Sequence, residues 1–236
     1  MLPLHYIMHI PKTAGMSLQE VIRKRFLLNT TLELVYTQEQ VENGFKDNDV
    51  LKVIMGHYRY GYHQFSERPA HYYTFLRNPL DQVISMYHYT QDHPEKFEYL
   101  PEGVNSIIDF ANCPYGYNLQ TRFISGIDQI KGNEEEALLT AIKNLKSFKL
   151  VGLTEEFNAS ILMLKDLLNL KRVFYQKRNS GITRRKRPDI TSEERQKLES
   201  ILKWDLELYA MARNLHFEQR KAFQKLEKKI KIFSKV

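Results

Sequence analysis

An apolar run that ends on a proline, followed at once by Lys-Thr-Ala-Gly and then by a helical pattern, constrains this chain more than any other feature. Leu4-His5-Tyr6-Ile7-Met8-His9-Ile10 reads as a buried strand. Pro11 has no N–H to give a sheet ladder, so the strand stops there. Apolar residues at 18, 21, 22 and 26 predict a helix over Ser17–Leu28, with Ser17 as its cap. The strand–loop–helix unit recurs. Val50–Met55 and His71–Leu76 are further apolar runs, and Pro79 stands where a first helical turn accepts it, opening a helix to Tyr89. Phe148–Leu153 and Val173–Gln176 predict two more strands. Helices are predicted over 107–112, 117–125, 134–146, 157–168, 205–214 and 218–233. Another opens on the capping box formed by Thr191 and Glu194 and runs toward Leu202. Strands alternating with helices imply an α/β fold: a mainly parallel central sheet flanked by helices. The 236 residues suit a single domain, with no repeat or linker to split them.

Charge narrows the partners. The net charge of +7 is concentrated in two places. One is Arg184-Arg185-Lys186-Arg187, inside a polar stretch, 178–188, that reads as a mobile loop. The other is the C-terminal segment 215–236, a basic helix with Lys and Arg at 220, 221, 225, 228, 229, 231 and 235. Such patches suit anionic partners, although a charge run is as often a solvated face. The lone Cys113 allows no internal disulfide and no cysteine zinc site, and reads as a buried structural thiol. No stretch approaches the ~18 apolar residues of a membrane span, and no secretory leader is visible, which predicts a cytoplasmic protein.

The loop His9–Leu18 carries chemistry. A strand-to-helix junction presents free N–H groups and the positive end of a helix dipole, an anion site whose usual guest is phosphate. Lys12 adds a full charge, Thr13 and Ser17 add hydroxyls, and Gly15 lets the backbone approach closely. The order is not that of a Walker A loop, because Lys precedes Gly. A second string, Phe75-Leu76-Arg77-Asn78-Pro79-Leu80-Asp81-Gln82-Val83-Ile84-Ser85, puts an arginine at a strand end and a serine inside the next helix. Arginine offers a planar fork to phosphate. Taken alone, each string has a bland counterpart, a turn with a surface lysine and a structural arginine.

Together the two strings resemble those of the sulfotransferases that use 3′-phosphoadenosine 5′-phosphosulfate (PAPS), within them the carbohydrate group that includes heparan sulfate 2-O-sulfotransferase. The resemblance runs over roughly Leu4–Asn214 and implies a P-loop-NTPase-like parallel sheet. It also implies that Lys12, Thr13, Ala14, Gly15, Met16 and Ser17 grip the 5′-phosphosulfate, and that Arg77 and Ser85 grip the 3′-phosphate. Relatives often carry Thr or Ser where this chain has Met16. In such enzymes a Gly-His pair supplies the base, and Gly56-His57 resembles it; His9, His63, His88 and Glu20 are further candidates. A histidine suits the task, since its pKa near 6.5 lets it take a hydroxyl proton at neutral pH. Lys12 would stabilise charge on the leaving phosphate. The string Asn118-Leu119-Gln120-Thr121-Arg122 resembles another family pattern, which places Gln120 and Arg122 near the acceptor, with His63, Arg184 and Arg185 beside them. The implied reaction moves the sulfuryl group of PAPS to a saccharide hydroxyl, the acceptor carrying negative charge in some relatives. It leaves 3′,5′-adenosine bisphosphate (PAP) and needs no metal. Nucleic acid is not expected as a partner. Peripheral membrane contact through the C-terminal helix is compatible with this reading.

Two other classes compete. A small-molecule kinase with a diverged phosphate loop needs Mg-ATP and a metal-holding Asp at a strand end, and none follows the second or third apolar run. A non-catalytic basic binding protein, acting through 217–236, has no use for Arg77 or Ser85.

Overall fold

A computed structural model of the chain describes residues 1–23, 26, 30–47, 50–97, 99–170 and 190–223. Five parallel strands form one sheet: β1 (Leu4–Met8), β2 (Thr31–Val35), β3 (Val53–Gly56), β4 (Ala70–Leu76) and β5 (Leu150–Leu153), in the order β2-β3-β1-β4-β5. The helices are α1 (Gly15–Arg23), α2 (Gln38–Asp47), α3 (Pro79–Asp92), α4 (Ile107–Asn112), α5 (Leu119–Ser125), α6 (Glu134–Lys146), α7 (Phe157–Leu167), α8 (Ser192–Ile201) and α9 (Lys203–Lys221). The expected α/β architecture, a central parallel sheet flanked by helices, is what the chain adopts.

Side-chain alternation along the strands builds two cores, one per face. Tyr6, Met8, Ile54, Tyr72 and Val151 pack with α5, α6 and α9 on one face. Ile7, Val53, Met55, Tyr73 and Phe75 pack with α1 and α7 on the other. A smaller cluster joins α3, α4 and α8 through Val83, Phe110 and Leu198, and buries Cys113 there. That thiol is buried as expected.

Several boundaries differ from the sequence expectation. β1 ends at Met8 rather than Ile10, because the chain already leaves the ladder before Pro11. The segment 31–47 had no predicted element and forms β2 and α2. Helix α1 begins at Gly15, not after Ser17, because Ala14 in a left-handed conformation turns the chain into the helix. The helices predicted over 205–214 and from 218 are joined in α9, which runs through the expected junction at 214/215. His216 and Gln219 anchor that helix on β5: His216 Nδ1 lies 2.9 Å from the Val151 carbonyl, and Val151 N–H donates to Gln219 Oε1 at 2.8 Å. The capping box at Thr191 and Glu194 is formed as expected. The predicted strand 173–176, the loop 178–188 with Arg184 and Arg185, and the basic run beyond 223 lie outside the described residues. Among the described residues, no helix is long and apolar enough to cross a membrane.

Candidate functional site

The strand order explains where a ligand would sit. After β1 the chain turns to the α1 face, whereas β4 leads through α3 toward the helices of the opposite face. Neighbouring strands whose connections leave in opposite directions open a crevice at their carboxyl ends, the usual ligand position in a parallel α/β sheet. β1 and β4 are such a pair, and their loops carry the two strings singled out above.

The loop after β1 is shaped by its backbone. Lys12 and Ala14 have φ of 66° and 69°, while Thr13 and Gly15 between and after them do not have positive φ. Residues alternating in this way turn successive N–H groups into one concavity, a nest for an anion. Two non-glycine residues held left-handed cost about 1–3 kcal/mol each, so the surroundings must over-determine the loop. They do so with three hydrogen bonds. The Thr13 hydroxyl donates to the Ile10 carbonyl at 2.8 Å, Gln82 Nε2 donates to the Pro11 carbonyl at 3.0 Å, and Arg77 Nη1 donates to the Lys12 carbonyl at 3.3 Å. The first helical bond of α1 runs from Leu18 N–H to the Ala14 carbonyl. The N–H groups of Gly15, Met16 and Ser17 therefore belong to the open first turn.

Arg77 thus joins the loop across 65 residues of sequence. It stands one residue past β4, and Asn78 then caps α3 by accepting from the N–H groups of Leu80 and Asp81. Ser85 lies on the same helix. Gln82, Ser85, Tyr89 and Asp92 recur at three- and four-residue steps and share one face of α3. Gln82 of that face touches Pro11, and the Tyr89 ring lies under Lys12 Nζ, 4.1 Å from centroid to nitrogen. Ser85 therefore sits between two contacts to the loop. Burial and the nearby Arg77 lower the Lys12 pKa, and Asp92 opposes them. A lysine already crowded by an arginine gains when an anion arrives between them.

His57 follows β3, the next strand on the other side of β1. Its ring lies 4.3 Å from the His9 ring and 5.5 Å from the Tyr36 ring. Its Nδ1 is buried with no hydrogen-bond partner among the described residues. Burial lowers its pKa below the ordinary imidazole value, against a smaller opposing effect of the His9 backbone. His9 is pushed well below that value by burial, then by His57 and Lys12. Both rings are therefore neutral at pH 7. Two glycines permit this arrangement. A Cβ on Gly15 would fall 1.7 Å from the His9 ring, and one on Gly56 would fall 2.1 Å from the Val35 carbonyl oxygen.

The remaining sequence candidates are placed as follows. Met16 is half exposed at the first turn of α1, and Ser17 is buried there. The Thr13 hydroxyl proton is used inside the loop. Gln120 is fully buried and bonds the backbone of Arg77. Arg122 is buried too; it donates to the carbonyls of Pro114 and Asp128 and pairs with the Asp128 carboxylate. His63 lies beside Tyr72, its Nδ1 3.0 Å from the phenol oxygen, four residues before β4 ends. His88 sits on α3 beside Tyr87, and Glu20 is on α1. Arg184 and Arg185 lie outside the described residues. Sequence reading passed over Gln82, Tyr89 and Tyr36. The first two had a signal, their helical spacing around Ser85. Tyr36 had none, because it follows the strand that was not predicted.

No protein-family model matches the chain, and no curated protein matches it. Among solved structures, the crystal structure of mouse sulfotransferase SULT7A1 complexed with PAP is distantly similar, at 18% identity and a TM-score of 0.38. The match covers 84% of this chain and 64% of that one, so this chain spans less than two thirds of that relative's length.

Proposed function

We propose that this chain is a sulfotransferase that takes the sulfuryl group of PAPS and delivers it to a hydroxyl, with a saccharide as the acceptor class. The observation that carries the reading is the hydrogen bond from Arg77 to the Lys12 carbonyl, which brings the two strings onto one crevice between β1 and β4. The residues there fit an adenosine donor with two separate anionic ends. The nest at 12–15 and Lys12 suit the 5′-phosphosulfate. Arg77, with Ser85 on the α3 face that meets the loop, suits the 3′-phosphate.

PAPS supplies the sulfuryl group and a leaving phosphate. Lys12 and the N–H groups of the nest stabilise charge that develops on that phosphate oxygen. His57, kept neutral by burial, takes the acceptor hydroxyl proton as the oxygen attacks. The chain's own groups thus supply both general-base and electrostatic assistance.

Calorimetric titration with 3′,5′-adenosine bisphosphate, 5′-ADP and Mg-ATP tests this. The bisphosphate should bind best, and Arg77→Ala should weaken it by about 10- to 100-fold, the loss of a charge-assisted hydrogen-bonding group. Mg-ATP binding with no gain from a 3′-phosphate would instead establish the kinase.

A further inference from the structure

We propose that Gln120 is a positioning residue of the donor site: by gripping the backbone of Arg77 from α5, it sets where the Arg77 guanidinium meets the 3′-phosphate. This rests on the sulfotransferase reading above and deepens it.

Arg77 stands just past the end of β4, where the ladder no longer holds it. Gln120 replaces that ladder. Arg77 N–H donates to Gln120 Oε1 at 3.1 Å, and Gln120 Nε2 donates to the Arg77 carbonyl at 2.8 Å. One side-chain amide thus pairs both polar groups of one residue, as a neighbouring strand would. Arginine has a long side chain, so a small rotation of its backbone moves the guanidinium by ångströms. A carboxylate in place of the amide would accept from the N–H but could not donate to the carbonyl.

Gln120 is itself locked from behind. Its N–H donates to Asp205 Oδ2 at 3.1 Å, and Asp205 Oδ1 accepts the Thr121 N–H and hydroxyl, each at 2.7 Å. Asp205 N–H donates in turn to Asn118 Oδ1 at 2.9 Å, and Asn118 Nδ2 donates to the Ile201 carbonyl at 2.8 Å. The first turns of α5 and α9 therefore cap each other. Asn118, Gln120, Thr121 and Asp205 are all buried, so this network is shut off from solvent. It runs from α9 through α5 to the residue that faces the nucleotide.

The test compares 3′,5′-adenosine bisphosphate with 5′-ADP by calorimetry in the wild type, Gln120→Met and Gln120→Glu. Gln120→Met removes both hydrogen bonds at similar volume. It should cut the preference for the bisphosphate by about tenfold, within the loss expected when the Arg77 guanidinium itself is removed, with 5′-ADP affinity falling less. Gln120→Glu keeps the bond from the Arg77 N–H but sets a carboxylate oxygen against the Arg77 carbonyl, so it should cut the preference at least as much as Met. If Gln120→Met does not fold, Gln120→Glu carries the test alone. Equal weakening of both nucleotides would mark Gln120 as merely structural and overturn the proposal, as would wild-type discrimination in a folded variant. A wild type with no preference for the 3′-phosphate would overturn the sulfotransferase reading itself.

Discussion

The two sides of the crevice are built differently. On the Arg77 side, hydrogen bonds from four places converge: Thr13 on Ile10, Gln82 on Pro11, Arg77 on Lys12, and Gln120 on Arg77. On the His57 side, the ring is held by contacts with His9 and Tyr36, and its buried Nδ1 has no hydrogen-bond partner among the described residues. The difference matches the tasks that the proposed function gives the two sides. A group that holds a fixed anion gains from being over-determined, since any drift loses Coulombic energy. A group that must accept a proton needs a nitrogen with a free lone pair, so it can carry fewer hydrogen bonds than a group that holds an anion.

The largest effect is expected on removing the His57 imidazole. His57→Ala should lower turnover by about 10²- to 10⁴-fold while leaving bisphosphate affinity as in the wild type. PAP release with the best acceptor from a saccharide panel measures the first, and calorimetry the second. Near-normal turnover would move the base to another residue, and lost nucleotide binding would merge the two sides.

Gly15 lies between the sides, and a smaller effect is expected there. Gly15→Ala drives a methyl into the His9 ring and should cost about 1–3 kcal/mol in denaturant unfolding, as overpacking does. Removing the ring in Gly15→Ala/His9→Ala should return most of that loss, because the two residues are in contact. If the double variant is no better than the sum of the singles, the glycine is required by something other than His9.

The mildest effect is on pH dependence. Burial lowers the His57 pKa, so the neutral, base-competent ring persists below pH 6.5. The acid limb of kcat/KM should inflect below 6.5, not at it. The same shift stabilises the fold above the unfolded value of about 6.5, and that contribution is lost as pH falls through the lower folded pKa. His5 behaves alike: burial, then His71 and Arg68, push it down to about 4. An acid limb above 6.5 would mean that the base is another group, or that a carboxylate faces His57 in the free enzyme.

Much of the fold was legible because its signals are local. Buried strands read as apolar runs, Asn78-Pro79 as a helix start, and Thr191 with Glu194 as a cap. β2 escaped because it is an edge strand: Thr31 and Glu33 alternate with apolar residues, so no continuous apolar run marks it. Of the candidate site, the loop and the arginine were visible as strings, and the resemblance placed Gln120 and Arg122 near the acceptor. Their burial and their partners, Arg77 and Asp128, arise only when α5 packs beneath the crevice.

The residues alone determined that strands alternate with helices, that the chain turns at Pro11 and Pro79, and that Lys12 and Arg77 follow strands. Each of these depends on the backbone and side-chain chemistry of a few neighbours. Only the tertiary structure decided that β1 and β4 lie side by side, that His9 must have a glycine at 15 beside it, and that Arg77 takes its backbone partner from α5. Those outcomes depend on which faces bury one another across long stretches of chain, and no short window of sequence carries that information.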